Sequence, residues 1–145
     1  METTQLIRSL DEESTAEKSQ NYRILVVDDN ESCAITMMWI MEMLGHTAKM
    51  AFDGPAAIEL AIAFKPDIVL LDIGLPGMNG YEICKAMRKD PVLRNAIFIA
   101  QTGWGQKDHR ERSKEAGFNY HLVKPVDIEA LKNIFGALDR SKVLS

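Results

Sequence analysis

ILVVDDN, residues 24–30, sets an unbroken apolar run against two adjacent acids. Arg23–Val27 reads as a β-strand. Its lack of polar alternation predicts burial on both faces, as in the interior of a parallel sheet. Asp28 and Asp29 then stand together at its end. Two carboxylates so close repel, and burial raises the cost of keeping both charged. A proton, a basic side chain or a metal ion has to offset that repulsion.

Outward from this strand, helical and extended patterns alternate. Asn30 is placed to cap a helix over Glu31–Leu44, and Gly45 to end it. His46–Ala51 is a short, mixed strand. Gly54 and Pro55 open a helix running to Phe64, proline being tolerated in a first turn. Asp67–Asp72 is a second strand of the buried type, followed by the turn-rich GLPGMNG, residues 74–80. Gly80, Ile83, Cys84 and Met87 then recur at helical spacing, giving a helix to Lys89. Ala96–Gln101 reads as a strand, Gln106–Ala116 as a very polar helix and Phe118–Val123 as a strand. Asp127–Arg140 is the last helix, with Ile128, Leu131, Ile134, Phe135 and Leu138 on its apolar face. Five strands alternating with five helices predict an α/β fold, a parallel sheet covered on both sides.

The chain has 145 residues, 46% hydrophobic and 26% charged, enough for one domain with a core. Its net charge of −4 offers no basic footprint for nucleic acid. No apolar run approaches the ~20 residues of a membrane span. The N-terminal METTQLIRSLDEE lacks the basic-then-apolar order of a signal peptide, so a cytoplasmic protein is expected. Residues 1–20 read as a disordered polar tail in which Leu6, Ile7 and Leu10 are the sizeable apolar residues; a short docking helix over Leu6–Leu10 is the alternative. The domain is expected over residues 21–141, with 142–145 as a C-terminal tail. Cys33 and Cys84 belong to no CxxC pair or Cys/His cluster, so no zinc site is indicated and both are expected as buried thiols.

Sheets of this class bind ligands at the carboxyl ends of their strands. Asp28 and Asp29 end the first strand, Asp72 the third, Thr102 the fourth and Lys124, just before Pro125, the fifth. Water-facing polar residues at strand ends would explain any one of these, but not all together. Three carboxylates make a hard, all-oxygen site suited to Mg²⁺ with retained waters. One lysine offsets one charge of three. Mg²⁺ and Lys124 together would let the site accept an added dianion such as a phosphoryl group, with Thr102 supplying a hydroxyl. Asp72 precedes an exposed loop, and carboxylates act as nucleophiles that form aspartyl phosphates.

The motifs ILVVDDN, PDIVLLDIGLPGMNGYE, AQTGWG and AGFNYHLVKP, in this order, make residues 22–141 resemble a response-regulator receiver domain of two-component phosphorelays. The resemblance implies a flavodoxin-like, doubly wound fold with five parallel strands in the order 2-1-3-4-5 and five flanking helices. It implies Asp72 as the phosphoacceptor, with Mg²⁺ held directly by Asp29, Asp72 and the backbone carbonyl of Gly74, and by Asp28 through water. Thr102 and Lys124 would contact the phosphoryl group, and the Lys124–Pro125 bond would be cis. The phosphoryl donor would be a phosphohistidine of a sensor histidine kinase or a histidine phosphotransfer protein. Such a module phosphorylates and dephosphorylates itself without being a dedicated enzyme. The alternative is a pseudo-receiver, a scaffold without phosphotransfer. A flavin carrier is disfavoured because the acidic DDNES would repel a cofactor phosphate.

The sequence departs from the family pattern at three places. His121 stands where the family has Tyr or Phe as a rotamer switch, and is a candidate for that switch. Gly74 has no side chain to orient an attacking water. Trp104, two residues after Thr102, is a candidate shield for the phosphoryl group. On the first helix, Ala34, Met37, Met38, Met41 and Leu44 share one face and should pack on the sheet. Ile35, Thr36, Trp39 and Met43 lie opposite, where a surface helix should be polar. Apolar residues clustered there mark a contact face for a partner protein or a second copy of this chain. The competing expectation folds Trp39 against the last helix.

Overall fold

The computed structural model describes residues 21–103 and 109–144. Among them the chain alternates β1 (Arg23–Val27), α1 (Glu31–Met43), β2 (Thr47–Ala51), α2 (Gly54–Phe64), β3 (Ile68–Asp72), α3 (Gly80–Arg88), β4 (Ile97–Thr102), α4 (His109–Ala116), β5 (Tyr120–Val123) and α5 (Ile128–Leu144). The strands form one parallel sheet in the order β2-β1-β3-β4-β5. β1 and β3 are neighbours, with Val27 opposite Leu71, so Asp28 and Asp72 leave adjacent strand ends.

The apolar runs of the sequence become the two halves of the core. Ile24, Val26, Ile68, Leu70 and Ile99 pack with Ala34 and Met41 of α1 and Leu131, Ile134 and Phe135 of α5. The alternate positions Leu25, Val27, Val69, Leu71, Phe98 and Ala100 pack with α2, α3 and α4 through Ala57, Ala61, Ile83, Cys84, Met87 and Ala116. Each fully buried Leu or Ile side chain contributes about 1.5–3 kcal/mol relative to exposure. Burial pushes the Cys84 thiol up to about 12, against the opposing pull of Arg88.

Side chains start the helices. Asn30 Oδ1 accepts from the Cys33 N–H, Asp53 Oδ1 from Ala56 and Asn79 Oδ1 from Glu82, at 2.8–3.1 Å. Gly45, at φ +95°, ends α1. There the His46 N–H reaches the Met41 carbonyl at 3.0 Å and the Gly45 N–H the Glu42 carbonyl at 3.0 Å, a Schellman closure.

Several expectations change. α5 continues past Arg140 to Leu144, through residues expected as tail, because Ser-Lys-Val-Leu contains no helix breaker. Ile128 is exposed, since α5 begins there, ahead of the turn that meets the sheet. On α1 the buried stripe is completed by Ile40, whereas Met38 lies beside it. Trp39 does not fold onto α5: it is 60% exposed, and Met43 is 81% exposed. Cys33 is exposed in the first turn of α1, so only Cys84 is a buried thiol. Between α3 and β4, Pro91–Leu93 forms a 3₁₀ turn capped by Asp90, and its Leu93 is fully buried. The Leu6–Leu10 segment, Trp104 and residues 106–108 of the expected polar helix lie outside the described residues.

At the amino ends of the strands Arg88 joins two loops, the one before β4 and the one before β5. Its guanidinium donates to the carbonyls of Arg94 (2.9 Å), Ala96 (2.8 Å) and Gly117 (2.7 and 3.1 Å), and to Asn119 Oδ1 (2.8 Å). It also sits 4.3 Å from the centroid of the Phe98 ring. Nearby in the fold, Tyr22 donates its N–H to His46 Nδ1 at 3.2 Å and its hydroxyl to Asp139 Oδ1 at 2.5 Å. The His46 ring packs 4.6 Å from that of Phe135. Burial lowers the His46 pKa, against the pull of Asp139.

Candidate functional site

The carboxyl ends of β1, β3, β4 and β5 meet at one edge of the sheet. Asp28 follows β1 and is 3% exposed; Asp72 ends β3 and is 8% exposed; Asp29 is open to solvent. One oxygen from each of the three lies within 4.8 Å of the others. The Asn30 N–H donates to Asp28 Oδ1 at 3.0 Å and the Gly74 N–H to Asp72 Oδ1 at 2.9 Å. Each buried carboxylate is thereby oriented by the turn that follows it.

Lys124, after β5, donates from Nζ to Asp28 Oδ2 at 2.8 Å and to Asp72 Oδ2 at 3.0 Å. It is the basic side chain that offsets the buried acids, and Asp29 is tolerated beside Asp28 because it remains hydrated. Burial lowers the Lys124 pKa, and the bonds to Asp28 and Asp72 more than reverse this, leaving it above the ordinary lysine value. The Lys124–Pro125 peptide is cis. One charge against three leaves a net negative, oxygen-only pocket, a donor set that fits Mg²⁺.

Close backbone packing holds Asp72 in place. The Gly80 N–H bonds to the Ile73 carbonyl at 3.0 Å. A Cβ at Gly80 would lie 2.6 Å from Ile73 Cα and 2.9 Å from the Asp72 carbonyl oxygen, so the first turn of α3 approaches this closely only with glycine. Gly74 has room for a side chain, its Cβ position being 3.7 Å from Asp72 Oδ1.

Thr102 is 1% exposed and ends β4, one residue beyond Gln101, the register partner of Asp72. Its Oγ1 lies 3.0 Å from His121 Nε2, while Ser113 Oγ of α4 lies 3.1 Å from His121 Nδ1. No motif marks Ser113 in the sequence. The available signal was its position three residues before Ala116, on the face that the helix's clearest apolar residue turns inward. Gln101, to which the sequence assigns no role, is buried and lines a groove of about 620 Å³ with Asp28, Cys33, Met37, Lys124 and Pro125.

Residues 24–135 match the family model of the response regulator receiver domain. The chain belongs to the response-regulator receiver family. This receiver is 34% identical over 113 residues to sporulation initiation phosphotransferase F of Bacillus subtilis, covering 78% of this chain and 90% of that protein. It is 34% identical over 116 residues to protein PilH of Pseudomonas aeruginosa, covering 80% and 96%. Against response regulator PleD of Caulobacter vibrioides it is 33% identical over 122 residues, but spans only 27% of that longer protein. Among solved structures, the signal receiver domain of a DNA binding response regulator from Colwellia psychrerythraea superposes with a TM-score of 0.75 at 29% identity, covering 83% of this chain and 99% of that one. The CheY-like receiver domain protein from Methanospirillum hungatei gives 0.76 at 25% identity, covering 87% and 100%. Receiver domains generally bind Mg²⁺, and the acidic cluster of this receiver is of that kind. Among the described residues, no helix is long and apolar enough to cross a membrane.

Proposed function

We propose that residues 21–141 form a switch that accepts a phosphoryl group on Asp72 from a phosphohistidine of a sensor kinase or phosphotransfer protein, and so changes which proteins the chain binds. One observation carries the reading: Asp72 shares Lys124 with the buried Asp28, within metal-ligand reach of Asp29. In the transfer, the P–N bond of the phosphohistidine breaks and a P–O bond forms to the Asp72 carboxylate, while the imidazole leaves with the electron pair. The Gly74 N–H holds Asp72 Oδ1 in place. Lys124 moves from carboxylate to phosphoryl oxygen as charge arrives, and the Thr102 hydroxyl donates a further bond. Asp29, Asp72 and the Gly74 carbonyl would hold Mg²⁺, with Asp28 acting through water; the ion would neutralise phosphoryl oxygens. The relative named a phosphotransferase in Bacillus subtilis supports this reading over a scaffold without chemistry.

The apolar outer face of α1, with Trp39 and Met43 exposed, is the candidate surface for the phosphoryl donor or a second copy of this chain. Acetyl phosphate with Mg²⁺ tests the acceptor. The intact mass should rise by one phosphoryl group, removable with hydroxylamine; Asp72→Asn should lose the adduct, and Asp29→Ala should lose Mg²⁺ binding. An Asp72→Asn protein that labels like wild type overturns the assignment.

A further inference from the structure

We propose that His121 is a positioning residue whose tautomer decides whether the Thr102 hydrogen is available to the phosphoryl site, and that a phosphoryl group on Asp72 reaches α4 as a reversal of the His121–Ser113 hydrogen bond. The inference rests on Asp72 being the acceptor.

The imidazole bridges two buried hydroxyls, Thr102 Oγ1 at Nε2 and Ser113 Oγ at Nδ1. The β4–β5 register holds it there, with Ala100 opposite His121 and Thr102 opposite Val123. A neutral imidazole has one donor and one acceptor nitrogen, and each hydroxyl carries one hydrogen. Two arrangements therefore satisfy both contacts. In one, Thr102 donates to Nε2 and the Nδ1–H donates to Ser113, so the Thr102 hydrogen is occupied. In the other, the Nε2–H donates to Thr102 and Ser113 donates to Nδ1; the Thr102 hydrogen is then free to meet an anion at Asp72. An arriving phosphoryl group selects the second. No proton is gained or lost overall. One ring proton changes nitrogen by exchange with solvent, which reaches the half-buried ring, and the two hydroxyls rotate.

The output is directional. Ser113 changes from acceptor to donor, and it is a buried contact of an otherwise polar helix whose Arg112 guanidinium also lies 4.5 Å from the centroid of the Tyr81 ring on α3. A phenylalanine ring in place of His121 would couple only by filling space, and a tyrosine would add a single hydroxyl at the ring tip. The imidazole couples by the sense of two bonds.

¹⁵N-histidine NMR tests this, with Mg²⁺ and beryllofluoride as the phosphoryl mimic. Saturating mimic should raise the ratio of Nε2–H to Nδ1–H His121 by about tenfold or more, the equilibrium effect of one charge-assisted hydrogen bond. Amide exchange in Arg112–Ala116 should respond to the mimic in wild type and not in Ser113→Ala. An unchanged tautomer ratio, or a dominant Nδ1–H form, in a protein whose Asp72 region is demonstrably saturated would overturn the relay while leaving Asp72 as acceptor. So would an undiminished α4 response in Ser113→Ala. If neither the mimic nor acetyl phosphate engages Asp72, the acceptor reading falls and the relay falls with it.

Discussion

Replacing Lys124 by methionine removes the ammonium and keeps most of the side-chain volume. Asp28 and Asp72 would then face each other without a cation, their side chains 5% and 11% exposed. Breaking a fully buried ion pair costs about 3–5 kcal/mol, and a surface pair about 0–1 kcal/mol. The Lys124 side chain is 28% exposed, which places the expected loss nearer the buried limit, at about 2–3 kcal/mol. The pH dependence has a definite sign. The folded-state pKa of Lys124 is raised, so its contribution is complete below the unfolded lysine value and is lost as pH climbs through the raised one. Wild type should therefore show an alkaline decline that Lys124→Met lacks. Added Mg²⁺ should narrow the gap at neutral pH, because it replaces the missing positive charge. Urea unfolding followed by circular dichroism, in EDTA at neutral and alkaline pH and with Mg²⁺ in place of EDTA at neutral pH, measures all of this. A variant as stable as wild type at neutral pH in EDTA would refute the reasoning.

His46 should make the protein acid-sensitive. Its lowered pKa means its contribution is present above the ordinary imidazole value of around 6.5 and is lost as pH falls through the lower folded value; pH-dependent unfolding should flatten there in His46→Asn. Gly80→Ala should cost about 2–3 kcal/mol, because the new methyl meets backbone at Ile73 and Asp72; thermal melting combined with acetyl phosphate labelling should show stability and Asp72 reactivity falling together. Trp39→Ala should change stability by less than about 0.5 kcal/mol, its side chain being exposed, while weakening phosphotransfer or self-association; a large drop in melting temperature with partner binding intact would count against the α1 face.

The elements most legible in the sequence were those whose burial is total. β1 and β3 announce themselves because a central parallel strand is apolar on both faces, and polar residues resume where the strand ends at Asp28 and Asp72. The start of α1 was legible because Asn30 caps by local hydrogen bonding, and that of α3 because Gly80, Ile83, Cys84 and Met87 recur at helical spacing; the Asn79 cap emerges only in the structure. What stayed hidden depends on contacts distant in sequence. Lys124 was placed at the site by its strand end, but its bonds to both Asp28 and Asp72, at 2.8 and 3.0 Å, follow from the strand order. Ser113 looked like one more polar residue on a polar helix, because burial of a hydroxyl against an imidazole leaves no periodic mark. The length of α5 was underestimated for the opposite reason: the helix ends without a breaker, and absence of a stop is a weak signal.

Arg88 gives the two poles of the sheet different mechanics. Its planar fork joins the loop before β4 to the loop before β5 and closes on the Gly117 carbonyl, immediately after α4. A lysine could not reproduce that fork. The trailing end of α4 is therefore clamped, whereas the Ser113 side chain, a turn earlier, bonds to the His121 imidazole. A rearrangement that starts at that side chain would pivot α4 about the Arg88 end, with the larger displacement at the end nearer Asp72.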